Sequence, residues 1–165
     1  MFLPEESKII PVAKELDLSG TVYTDSINMT NVVGPVTFMF NLNTLGGASS
    51  VLTVNSGATN AACTTAARFN YAFGGAALGT AAALSTVSCD VLSAWTSAST
   101  LTITYGSYSN FMLVVVVDPQ DLDLANEYNW LTLKFTTTSS VTGTVSGFAV
   151  ADIRSTGNRS DTVLA

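Results

Sequence analysis

Asp118, Asp121 and Asp123 are the densest cluster of ligating or proton-transferring side chains in the 165-residue sequence. Two chemistries use such groups: Ca²⁺ coordination by an acidic loop, and glycoside cleavage by a carboxylate pair. The spacing lacks the Asp-x-Asp-x-Asp-Gly pattern with its trailing Glu, and nothing in the pattern sets two carboxyls about 5–9 Å apart across a substrate. Capping and solvation account for the cluster. Asp118 suits an N-cap, Pro119 a first helical position and Asp121 a third, which predicts one short helical turn over residues 118–125.

The sequence contains no histidine. That removes the commonest general base, the Ser-His-Asp and Cys-His arrangements and most zinc sites, and it argues against a hydrolase. No catalytic residue, metal or cofactor is expected, and the chain is not expected to be an enzyme. Cys63 and Cys89 behave as small buried hydrophobes in a reducing compartment, and their pairing stays open. Trp95, Tyr105, Tyr108, Tyr128 and Trp130 suit either core and interface anchors or a sugar-stacking platform. The platform would make the chain a carbohydrate-binding or adhesive β-module on a virion or cell surface.

Only 11% of residues are charged while 47% are hydrophobic, so Ser, Thr, Asn, Gly and Ala must cover much of the surface. Such a surface suits a protein that works assembled better than one that works as a lone monomer. The net charge is −6, and the six basic residues are scattered without a stripe, so nucleic acid is not an expected partner. No apolar stretch approaches the roughly 20 residues of a membrane helix. The opening Met-Phe-Leu-Pro-Glu-Glu carries acid where a secretory signal carries base, so synthesis in the cytoplasm is expected.

Positioning these groups falls to strands. Val36, Phe38, Phe40 and Leu42 alternate with polar residues, although Met39 interrupts the pattern. Phe69, Tyr71 and Phe73 share one face, as do Leu131, Leu133 and Phe135. Further strands are expected at residues 51–54, 84–89, 101–105 and 143–151, the last with a bulge near Gly147. Eight or more short strands with little helix give an all-β chain, a β-sandwich of jelly-roll-like type. Three regions are expected: an extended N-terminal arm (1–20), the sandwich (21–154) and a polar C-terminal tail (155–165).

The run Phe111-Met-Leu-Val-Val-Val-Val117 is the exception to alternation. Seven apolar residues in succession require cover on both faces of the strand. A second packed layer or a neighbouring subunit must supply it.

Tyr23-Thr24-Asp25-Ser26-Ile27-Asn28-Met29-Thr30-Asn31, followed by Val36-Thr37-Phe38-Met39-Phe40, resembles the N-terminal part of small head proteins of tailed bacteriophages. Val114-Val115-Val116-Val117-Asp118-Pro119, Leu122-Asp123-x-Ala125-Asn126, Trp130-Leu131-Thr132-Leu133-Lys134 and Ala151-Asp152-Ile153-Arg154 resemble their C-terminal half. The match runs in pieces and contains no catalytic signature. It implies a capsid decoration, or cement, protein: a virion structural protein on the capsid exterior, with the major capsid protein as partner. It also implies a homo-oligomer, a trimer ahead of a dimer. Under that reading Phe2, Leu3, Ile9, Ile10 and Val12 of the arm are the expected capsid or subunit contacts.

Overall fold

The computed structural model describes residues 7–75, 77, 90–137 and 141–153. The expected strand at 84–89, the tail at 155–165, and Phe2, Leu3 and Cys89 lie outside them. Twelve strands are described: β1 (Ser7–Asp17), β2 (Val22–Tyr23), β3 (Ile27–Asn28), β4 (Val36–Leu42), β5 (Ser49–Gly57), β6 (Thr65–Ala67), β7 (Phe69–Phe73), β8 (Thr96–Ala98), β9 (Thr100–Thr104), β10 (Met112–Val117), β11 (Trp130–Thr137) and β12 (Thr144–Asp152). They form two antiparallel sheets. Sheet A runs β1-β12-β4-β10-β7-β8, and sheet B runs β2-β11-β5-β6, with β3 also on β11 and β9 also on β5.

The pairings are nested. β1 pairs with β12, β2 and β3 with β11, β4 with β10, and β5 with β9, while β7 and β8 pair innermost. Successive pairs alternate between the sheets, which is the winding of a jelly roll. The sheets face each other across one core. In it the Phe40 ring of sheet A meets the Phe135 ring of sheet B edge-on, with centroids 5.7 Å apart.

The alternating strands behave as their periodicity predicts. Val36, Phe38, Phe40 and Leu42 are all buried, as are Leu131, Leu133 and Phe135. The rings of Phe69, Tyr71 and Phe73 lie in series with centroids 6.2 and 5.9 Å apart. Strand β5 runs on through Asn55-Ser56-Gly57, where turn chemistry points to a loop, because β11 and β6 pair with it from both sides. The Asn55 amide is satisfied locally by donating to the Thr53 hydroxyl at 3.0 Å. The single helical turn expected over 118–125 is two 3₁₀ turns, Pro119–Asp121 and Leu124–Asn126. Between them Leu122 drops into the core and breaks the run.

The expected N-terminal arm is not separate from the sandwich over its described part. Ser7–Asp17 pairs along β12 as the edge strand of sheet A, and Ile10 and Val12 lie in the core at 1% exposure each. Two register shifts, between Pro11 and Ala13 and between Ala13 and Leu16, hide the period-two pattern in the sequence. Pro11 is tolerated because an edge strand leaves one row of N–H groups unpaired. The bulge expected near Gly147 sits on its partner, since Gly147 faces Ala13 between the two shifts. Gly147 itself is needed for space: a Cβ there would meet the Phe40 ring and lie 2.6 Å from the Met39 carbonyl oxygen.

Adjacent residues of β1 should therefore respond oppositely to substitution. Ile10→Ala is expected to cost about 2–5 kcal/mol, whereas Ile9→Thr changes stability by less than about 0.5 kcal/mol, both measured by denaturant unfolding. Equal effects would mean that the strand does not hold this register.

Candidate interaction surface

The central strand β10 sends Leu113, Val115 and Val117 inward and Met112, Val114 and Val116 to the outer face of sheet A. Strand register extends these outer positions into cross-strand rows. One row is Pro11, Phe148, Met39, Val114 and Ala72. The next is Ile9, Val150, Thr37, Val116, Asn70 and Ser97. A shorter third row holds Ser146, Asn41 and Met112. None of these side chains ionises.

Cover over this face is uneven: Ala72 and Val114 are buried, and Met39, Met112 and Val116 are half-buried. Ile9 is 59% exposed and Phe148 41%. A groove of about 480 Å³ opens among Pro11, Met39, Asn41, Met112, Ser146 and Phe148. A second hollow of about 390 Å³ lies by Asn70, Val116 and Trp95, which is 51% exposed. The outer face of sheet B differs in kind. Its register sets Thr136, Val51 and Thr102 in one row and Tyr23, Lys134, Thr53 and Thr100 in another, with the Lys134 ammonium 5.8 Å from the Tyr23 ring centroid.

Of the five expected contact residues, Phe2 and Leu3 lie outside the described residues, Ile9 is on this open face, and Ile10 and Val12 point into the core. Met39, Met112, Val114, Val116 and Phe148 were not among the expected contacts. For all of them but Phe148 the signal is present in the sequence as two breaks in alternation: Met39 within β4, and the even-numbered members of the run at 111–117.

The chemical clusters resolve into structural roles. Asp118 caps the first 3₁₀ turn by accepting the Gln120 N–H at 2.9 Å, and Asp123 accepts from the Asn126 amide at 2.8 Å. Among the described residues no three His, Cys, Asp or Glu side chains gather as a metal site. The five aromatics form no single platform. Tyr105 is fully buried, Tyr108 stacks on Phe73 with centroids 3.8 Å apart, and Trp130 lies in sheet B, whereas Trp95 borders sheet A. Cys63 is a half-buried free thiol whose pKa burial raises, with Lys134 opposing the rise. Among the described residues no helix is long and apolar enough to cross a membrane.

No family model, curated protein or solved structure matches the chain.

The Tyr105 and Ser50 hydroxyls lie together in the core, and neither forms a hydrogen bond of normal geometry. Burial lifts the Tyr105 phenol above its ordinary value of 10.0, and Ser50 offsets part of the rise. The folded state thus holds this proton to higher pH than the unfolded chain does. Its contribution is complete below about pH 10 and is lost as pH rises through the folded-state value. Tyr105→Phe should abolish that component of alkaline destabilisation in chemical unfolding curves. At pH 7 the variant should be as stable as the parent or up to about 1 kcal/mol more so, because a buried unpaired hydroxyl is removed. An alkaline limb identical to that of the parent would contradict this account.

Proposed function

We propose that the chain is a structural virion protein that binds the outside of an assembled phage capsid and stabilises it. The observation that carries the reading is the outer face of sheet A, whose three rows hold no ionisable side chain and expose Ile9 and Phe148: it marks a chain that works assembled, as a decoration protein does. A surface of this kind is costly to leave in water and is characteristic of proteins that work in contact with others. The pieces that resemble phage head proteins fall on β2 to β4 and on β10 to β12, which build both sheets of the sandwich. Jelly rolls recur in viral capsid domains and also in lectins, so the fold is compatible with this reading without selecting it.

A cement protein needs no reaction. It stabilises the closed shell by binding the assembled lattice more tightly than free capsid subunits, and the shift equals the difference between those affinities. A ligand present at 100 times its dissociation constant adds about 2.7 kcal/mol per site. Linking copies multiplies the effect, because one subunit cannot leave until several contacts open nearly together. Neither step calls for a proton-transfer group, in keeping with a sequence that lacks histidine.

One observation favours a second reading, a carbohydrate-binding or adhesive module. Exposed Trp95 lies beside exposed Asn70, a pairing of ring and amide that suits a sugar face and its hydroxyls. It is a single ring rather than a platform, which makes this the weaker proposal.

The deciding experiment mixes purified chain with filled capsids of the virus that carries it and sediments them. Binding is expected to saturate at a fixed ratio to the major capsid protein and to raise the temperature at which the shell releases its contents. Failure to co-sediment would overturn the capsid reading. Glycan binding that disappears in Trp95→Ala would replace it with the second.

A further inference from the structure

We infer that the outer face of sheet A is the contact between two copies of this chain, which pack sheet A against sheet A about a two-fold axis.

Edge pairing is disfavoured first. β1 bears two register shifts, exposed Pro11 and a left-handed Glu15 (φ 48°), and β8 at the opposite edge has only three residues. Bulges, proline and short strands are the devices that keep sheet edges from adding another strand. In sheet B the edge strands β2 and β6 have two and three residues and β9 five. Of the two faces, that of sheet A carries exposed Ile9 and Phe148 with Met39, Met112, Val114 and Val116, interspersed with neutral Thr37, Asn41, Asn70, Ser97 and Ser146.

Charge favours a second copy as the occupant. Each chain carries twelve acidic and six basic residues, so two copies repel wherever acidic surfaces meet. The three rows contain no ionisable group, and Asp152, which follows in register opposite Ser7, stands at the margin of the face, so like charges are kept from its middle. Depletion of charge with enrichment in Met and aromatic residues is also what marks the core of a homodimer interface. Met39, Met112 and Phe148 supply that composition around the groove.

Area and symmetry agree with this occupant. Six strands at about 4.8 Å spacing and seven residues at about 3.3 Å give a face of roughly 29 by 23 Å. Two copies would bury about 1,300 Å² in total, within the range of specific interfaces. Phe148 stands beside the groove it helps to line, so a two-fold axis sets each ring against the groove of the other copy. A patch that meets itself closes at two copies, whereas a trimer requires two different complementary patches. The exposed large apolar residues off this face, Tyr23, Val33, Val91 and Leu124, are not gathered in another row. The pair is therefore the expected unit, in place of the trimer that the family resemblance implies.

Sedimentation velocity on the full chain, without capsids, tests this independently of the virion reading. A species of twice the chain mass that dissociates on dilution is expected, and Phe148→Lys should weaken it roughly 30-fold or more. Thr102→Lys, on the other sheet, should leave it unchanged. A measurement on the parent chain avoids dependence on the folding of a variant: methyl-labelled Met39 and Met112 should shift with concentration in NMR spectra while core Met29 does not. A monomer at all concentrations, a trimer, a dimer indifferent to Phe148→Lys, or methyl signals that move only when capsids are added would each overturn the inference.

Discussion

The structure turns on β10, a strand apolar on both sides at the middle of sheet A. Its inner residues Leu113, Val115 and Val117 are fully buried, paired with Phe40, Phe38 and Val36 of β4 and closed over by sheet B. Its outer residues Met112 and Val116 are less deeply covered, being half-buried. Val114 reaches 5% exposure all the same, flanked in register by Met39 and Ala72. A strand buried on one side alone would alternate. Keeping valine on the outer side places an apolar strip along the middle of that face.

Nested pairing explains why the surface is a face rather than an edge. Winding β1 against β12 and β4 against β10 places β12, β4 and β10 inside sheet A and leaves it bounded by a bulged strand and a very short one. Gly147 fits the same scheme. By yielding its side-chain space to Phe40, it lets that ring reach Phe135 in sheet B, while its neighbour Phe148 points outward. Adjacent residues of β12 thus serve the core and the surface separately.

Legibility in the sequence followed local regularity. β4 and β11 could be read because alternation survives in them, and residues 111–117 because an unbroken apolar run has few structural solutions. The N-terminal strand was obscured by physical causes: two register shifts move its side chains out of period, and Pro11 mimics a breaker where an edge position tolerates it. Ile10 and Val12 consequently looked available for contact when they are core. The contact face was half visible. Met39 and the even-numbered members of the run stood out as irregular, but only strand register shows that Phe148, Met39 and Val114 are neighbours, since they come from three distant parts of the chain. Asp118 was legible as a cap because capping is local chemistry.

The distribution of charge gives the apolar face its direction. β10 and β12 both run antiparallel to β4, so they end on the same side of sheet A. Asp118, Asp121 and Asp123 follow β10 there, and Asp152 closes β12, where it accepts a hydrogen bond from the Ser7 hydroxyl. Four carboxylates thus stand at this end of the sandwich, Glu15 and Asp17 of β1 stand toward the other, and the rows of Met, Val and Phe lie between them. Between like-charged molecules such a division discourages approach through the acidic ends and leaves the neutral face to make contact, where apolar burial contributes without an opposing desolvation of charge.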